Sequence, residues 1–317
     1  MSKATTSKFE LRTRTASEKV LDIGFKNLVF VMASMIAIIL FSIFVVVYYE
    51  STESISRYGL KFLFSSAWNP VTDEYGAFTA IYGTLFTSMA SLLIAIPLAV
   101  GTAIFITENI IPKYLRDVIA IMVELLAAIP SVVLGLWAVF IMEPFIRPFL
   151  QIIYEIFGFI PFFGTQPLGA GMMPAILILV VMILPIITSI SKDSLNQVPS
   201  NLRQAAYGIG ASRWTTIFKV IIPASISGIA GGVLLALGRA MGETMAVTMI
   251  IGNSNNFSWS IFAPSYTISS MLANQFGEAD GIQVSSLMYA ALILMVLTLL
   301  VNVFAQWIVK KLSLKYQ

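Results

Sequence analysis

The sequence predicts an all-α integral membrane protein with six transmembrane helices. Three observations predict it: an apolar composition, six apolar runs of spanning length, and a one-sided distribution of basic charge. Hydrophobic residues make up 58% of the 317 residues and charged residues 11%, whereas a soluble domain carries about a quarter charged residues. The chain has no cysteine and no histidine. That excludes thiol nucleophiles, disulfides, histidine proton relays and the usual zinc or haem sites. The G-x-x-x-x-G-K-[ST] phosphate loop and the G-x-S-x-G nucleophile motif are also absent. With no nucleophile–base set, the chain does not read as an enzyme, and nothing in it points to nucleic acid.

About 20 apolar residues cross the ~30 Å hydrocarbon core. By that measure the spans are expected at 28–49, 78–106, 115–142, 172–191, 224–252 and 285–309. They form a six-helix domain over 28–309, with tails at 1–27 and 310–317. The first run is too long for the core of a signal peptide, and no small-residue cleavage site follows it, so it is expected to stay as a span.

Charge sets the orientation. With the N-terminus inside, fifteen of the nineteen Lys and Arg lie on the inner side: Lys3, Lys8, Arg12, Arg14, Lys19, Lys26, Lys113, Arg116, Lys192, Arg203, Arg213, Lys219, Lys310, Lys311 and Lys315. Only Arg57, Lys61 and Arg147 fall outside. The expectation is therefore a multi-pass protein with both termini cytoplasmic and its basic tail against anionic lipid headgroups. One stretch, 144–164, is apolar enough to be a seventh span, which would reverse this bias. Its Arg147, Pro148, Gln151 and Glu155 argue against crossing, and 143–171 is read as an outer interfacial or re-entrant element.

The inner loop 192–223 is long and polar for so apolar a chain. Leu202, Ala205, Ala206 and Ile209 recur at i, i+3, i+4 and i+7, an apolar stripe on a short helix. Gly208 and Gly210 break it, Ser212 is placed to cap a second helix through Trp214, Ile217 and Phe218, and Pro223 marks entry into the next span. The result is a helix–turn–helix with one greasy side and a basic rim. It fits either an amphipathic loop resting on lipid or a plug for a socket on a soluble partner.

Three ionisable residues fall inside the expected spans away from their ends: Glu124, Arg239 and Glu243. Each costs roughly 2.5–3.5 kcal/mol at a helix centre and needs a partner or an aqueous cavity. Arg239 and Glu243 are four apart and are expected to pair along one helix face. That face also carries Gly228, Gly232, Gly242 and Ala246, and the spacings Gly228-x3-Gly232 and Gly238-x3-Gly242 allow close helix approach. The pair reads either as a structural ion pair or as part of a translocation pathway, where a guanidinium fork suits an oxyanion. Glu124 reads as a hydrogen-bonding group toward a neighbouring helix or a pathway residue. Thr84, Thr87 and Ser88 are able to donate to a passing anion or to bond back to their own helix. Pro97, Pro130 and Pro185 read as helix kinks.

Permease subunits of ABC importers carry E-A-A-x3-G-x9-I-x-L-P in the loop that docks into the ATPase. This sequence has Gln204-Ala205-Ala206, Gly210 after three residues, Val220 after nine, then Ile222-Pro223. Every spacing is kept; Gln204 in place of Glu removes a charge. The segments 75–88, 124–137 and 235–253 resemble the phosphate importer permease of the PstC type, and the likeness runs from about Gly59 to the C-terminus. The resemblance implies a type I ABC importer permease-like fold in a prokaryotic inner membrane. It implies a second, PstA-like permease, a dimer of PstB-like ATPase subunits and an extracytoplasmic, PstS-like phosphate-binding protein. This chain would then hold no cofactor, since ATP and magnesium would sit on the ATPase. The resemblance further implies coupling through 204–223 and a pathway at Arg239 and Glu243. Another oxyanion, such as molybdate or sulfate, is the alternative cargo. A secondary transporter would need internal repeats and coupling-ion carboxylates, and no repeat is visible.

Overall fold

A computed structural model describes residues 16–108 and 110–313; the tail charges Lys3, Lys8, Arg12, Arg14 and Lys315 lie outside them. Among the described residues, six helices are long and apolar enough to cross a membrane: Leu21–Glu50, Phe78–Thr107, Ser131–Phe157, Met172–Asn196, Arg213–Gly242 and Ile282–Lys311. Helix α1 (Ala16–Glu50) is a unit of its own as far as Tyr49. The hydroxyls of Ser34 and Ser42 donate to the carbonyls of Phe30 and Ile38, each at 2.8 Å, so they satisfy themselves within its apolar stretch.

From Glu50 onward the chain forms a second compact unit. It opens with α2 (Thr52–Tyr58), a 3₁₀ turn (Gly59–Leu63) and a small hairpin of β1 (Trp68–Asn69) and β2 (Glu74–Tyr75). The helices α3 (Phe78–Thr107), α4 (Lys113–Ala128), α5 (Ser131–Trp137), α6 (Glu143–Phe157) and α7 (Met172–Asn196) follow. Next come α8 (Ser200–Gly208), α9 (Arg213–Thr216), α10 (Ile222–Gly242), α11 (Met245–Ile250), α12 (Ile268–Gln275) and α13 (Ile282–Ser313).

Two spans depart from the sequence expectation. The run 115–142 is not one helix. Ile129 is extended (ψ 127°), as a residue before proline prefers to be, and Pro130 stops α4. At 16 residues α4 reaches about 24 Å, short of the hydrocarbon core. By length and hydropathy, the third helix able to cross is the continuous Ser131–Phe157, in which a π turn (Ala138–Met142) joins α5 to α6. The segment 143–157, expected as an outer interfacial helix, is the second half of this long helix. The number of helices able to cross stays at six, so the parity behind the charge count is unchanged. Within this helix, the Arg147 guanidinium donates twice to the buried Glu143 carboxylate, Nε to Oε1 and Nη2 to Oε2, both at 2.7 Å. This is the bidentate geometry that makes a charge pair tolerable in an apolar setting.

The fifth span also shifts. Its helix is continuous over Arg213–Gly242, ending ten residues before the expected 252, with a π turn (Ile217–Ile221) leading into α10. Pro223, near the start of α10, has no N–H to donate to the preceding turn, which is where the irregularity sits.

Helix α7 is the centre of the unit: 61% of its spanning window is buried, against 22–33% for the other spans of this unit. Its Ile176, Ile178, Ile183 and Ile187 pack with Ala95 and Ala99 of α3 and with Ala236, Leu237 and Met241 of α10. The loop after α11 caps its start. The carbonyls of Ile250, Ala263 and Ile261 accept from the N–H groups of Gly171, Met172 and Met173 at 2.9, 3.1 and 2.9 Å. Those are donors a helix N-terminus otherwise leaves unpaired.

Candidate functional site

Helix α10 meets α7 through glycine. A Cβ built on Gly228 would lie 2.1 Å from Ser194 Oγ and 2.7 Å from its Cβ, and one on Gly232 would lie 3.0 Å from Ile190 Cβ. The first small-x3-small pair therefore works as expected. Further along α10 the helices still pack through Ala236, Leu237 and Met241, and a groove opens on another face of α10. Ile186, Leu234, Leu235, Gly238, Arg239 and Asn302 line an open groove of about 440 Å³, and Gly238 and Gly242 have nothing near them. Arg239 is exposed there, and Asn302 of α13 holds a buried Oδ1 with no hydrogen-bond partner.

The expected Arg239–Glu243 pair does not form among the described residues. An i,i+4 pair needs an unbroken helix, and α10 ends at Gly242. Glu243 turns extended (φ −66°, ψ 121°) and is buried. Its Oε1 instead accepts from the Ala246 N–H at 3.4 Å, at the first turn of α11. The carbonyls freed by the break find donors. Ser269 Oγ reaches Met241 O at 3.2 Å, and Thr244 Oγ1 reaches Gly242 O at 3.1 Å. Non-helical backbone within an apolar segment is tolerated where it is buried in protein or lines a water-filled cavity. The break at 243–244 thus separates a buried carboxylate from a free guanidinium.

The candidate donors on α3 are engaged. Thr84 Oγ1 donates to Ala80 O (2.8 Å) and accepts from Ile268 N–H (2.9 Å), holding the start of α12. Thr87 Oγ1 donates to Gly83 O (2.7 Å) and Ser88 Oγ to Thr84 O (2.6 Å). Of the two readings the sequence left open, the structure shows bonding back to their own helix. Glu124, on α4, is exposed and accepts from Lys192 Nζ of α7 at 3.4 Å.

The loop between α7 and α10 is a helix–turn–helix. Gly210 (φ +83°) ends α8 in the left-handed conformation that favours glycine. Ala211 N–H bonds Ala206 O and Gly210 N–H bonds Tyr207 O, each at 3.0 Å, the Schellman arrangement. Helix α8 therefore runs through Gly208, and only Gly210 breaks it. Ser212 caps α9, accepting from Thr215 N–H at 3.3 Å. Of the expected stripe only Ala206 is buried; Leu202, Ala205 and Ile209 are exposed, as are Gln204 and Gly210. Tyr207, Trp214 and Phe218 are exposed too, the last two stacked 6.0 Å apart. Val220, Ile222 and Pro223 are half-buried in the start of α10. Arg203 leaves the basic rim: its guanidinium bonds the buried Glu108 carboxylate and donates to Leu195 O at 2.9 Å. Among the described residues, no three acidic side chains gather as a metal site would need.

Residues 95–314 match the family described as binding-protein-dependent transport system inner membrane component. The chain belongs to this family. Several relatives of the permease carry the name phosphate transport system permease protein PstC. That of Mesorhizobium japonicum is 45% identical over 89% of this chain and 88% of its own. That of Pasteurella multocida is 37% identical over 97% and 98%. A probable PstC of Methanocaldococcus jannaschii is 35% identical over 86% and 90%. Among solved structures, the permease resembles a chain of a bacterial alginate ABC transporter in complex with an alginate pentasaccharide-bound periplasmic protein. The TM-score is 0.60 at 18% identity, over 92% of this chain and 97% of that one. It also resembles the inward-facing MetNI methionine ABC transporter (TM-score 0.55, 18% identity, 74% and 94%). At such identities the likeness shows the fold, that of a type I ABC importer permease. The permease is a multi-pass membrane subunit of a transporter rather than a catalytic one.

Proposed function

We propose that this permease is one of two membrane subunits of an ATP-driven importer of inorganic phosphate. The observation that carries the reading is Arg239: an exposed guanidinium, free of Glu243, in an open groove at the last turn of α10. Its planar fork matches a phosphate oxyanion, and a single fork gives a contact a passing anion is able to leave. The PstC relatives support phosphate as the cargo. Fifteen inner basic residues support cytoplasmic termini and a cytoplasmic α8–α9 loop. There the uncovered Leu202, Tyr207, Ile209, Trp214 and Phe218 suit docking on an ATPase subunit, which would hold ATP and magnesium. An extracytoplasmic phosphate-binding protein would deliver the anion at the other face, and a second, PstA-like permease would close the groove around it. ATPase closure on nucleotide would move α8–α9, giving the two states the differential contact a conformational change requires.

The test is uptake of radiolabelled phosphate in cells lacking this chain and rescued by it, with excess sulfate or molybdate as competitor. The expected result is uptake that needs the chain, fails on ATP depletion and ignores both competitors. Uptake unchanged without the chain would remove phosphate as the cargo, and competition by molybdate or sulfate would favour a broader oxyanion importer.

A further inference from the structure

The helix α8 is joined to the spans by very little. Of its nine residues, only Arg203 and Ala206 are less than exposed. Among the described residues, Arg203 makes both of the side-chain hydrogen bonds that run from α8 to a span or its end. That one bonding group reaches two spans at once. One arm of the guanidinium bonds Glu108, the C-cap of α3, and the other bonds the carbonyl of Leu195 in the last turn of α7. Both acceptors sit at helix ends, the Leu195 carbonyl also taking the Val198 N–H at 3.4 Å. Glu108 is 6% exposed, and an apolar cluster of Ala103, Ile104, Leu195, Val198, Ile217 and Ile221 lies at the same helix ends. A charge so placed is held only by its partner.

We infer that Arg203 and Glu108 form the joint through which movement of α8 reaches α3 and α7. The joint is a positioning element for transport and rests on the reading of α8 as the helix an ATPase moves. A planar fork is suited to the task because two bonds in one plane resist rotation of α8 against the spans, where a single bond would let it pivot. The spans it grips are the central α7 and its neighbour α3, so a shift of α8 is passed to the helices that face α10 and the Arg239 groove.

The experiment uses the complete reconstituted transporter, with its binding protein, and reads phosphate moved per ATP hydrolysed together with co-purification of the ATPase. Glu108→Gln or Arg203→Met alone leaves a buried charge without its partner and is able to destabilise the chain. The deciding variant is therefore the double Glu108→Gln/Arg203→Met, in which no buried charge is stranded. The expected result is a double variant that assembles and hydrolyses ATP but moves about tenfold less phosphate per ATP, within the usual range of site-to-site coupling. Arg203→Lys, which keeps the charge, should retain more of the ratio than the double variant. A double variant that couples like the wild type overturns the inference and leaves the pair a structural tie. So does a double variant that fails to assemble. A wild-type complex that never holds an ATPase overturns the functional reading itself, and the joint with it.

Discussion

At the scale of single residues, the polar groups in and beside the spans divide by whether their hydrogen-bonding capacity is already used. Thr84 is fully used: its proton goes to Ala80 O and its lone pair takes the Ile268 N–H. Thr84→Val should therefore leave a buried N–H unpaired at a cost of about 1–3 kcal/mol, while phosphate uptake per folded molecule stays unchanged. A thermal melt of the purified permease beside an uptake assay separates the two effects. Lost uptake in a fully stable Thr84→Val protein would return this hydroxyl to the pathway. Glu143, which is buried, and Arg147, which is exposed, neutralise one another bidentately, so this pair asks for no cargo. Arg239 is the contrast, a guanidinium with an open groove in front of it.

At the scale of elements, the close crossing of α7 and α10 depends on a missing Cβ. Gly228→Ala would drive its methyl into Ser194, whose Cβ as well as Oγ stands in the way, and should cost about 1–3 kcal/mol, the usual size of overpacking. Gly238→Ala, with nothing within 4 Å, should be neutral or slightly stabilising in the same melt, since alanine is the better helix former. Equal melting of the two variants would mean that the helices do not touch at Gly228. The sequence showed this crossing through its small-x3-small spacing. It also showed the number of spans and the place of four of them, the Ser212 cap and the turn at Gly210, all of which are local patterns. It hid the break at Ile129–Pro130, because hydropathy registers apolar length and is blind to a proline that stops one helix and lets another begin. It equally hid the end of α10 at Gly242, where a spacing of four promised a pair that an extended Glu243 undoes. The Arg203–Glu108 joint spans 95 positions, and no periodicity reports a contact made only by the packing of α3, α7 and α8.

At the scale of the whole molecule, the unit from Glu50 onward is organised around α7. One end is closed by the 250–267 loop over the start of α7, and the other carries the α8–α9 loop, held through Arg203 and otherwise mostly uncovered. Between them, α7 and α10 touch at Gly228 and Gly232, and on another face of α10 a groove opens beside Arg239. This arrangement suits a subunit moved from one end by a partner while an anion passes along the opened face. Its central claim is that Arg239 meets the anion and is no member of a structural pair with Glu243. The most direct test is ATP-driven phosphate uptake by Arg239→Gln, Glu243→Gln and the double variant, at matched protein levels. The account predicts that Arg239→Gln loses about tenfold or more, as removal of a charged hydrogen bond worth roughly 1.5–3 kcal/mol implies, and that the double variant recovers nothing. Recovery of uptake in the double variant would show two charges whose task is to cancel each other, and would contradict it.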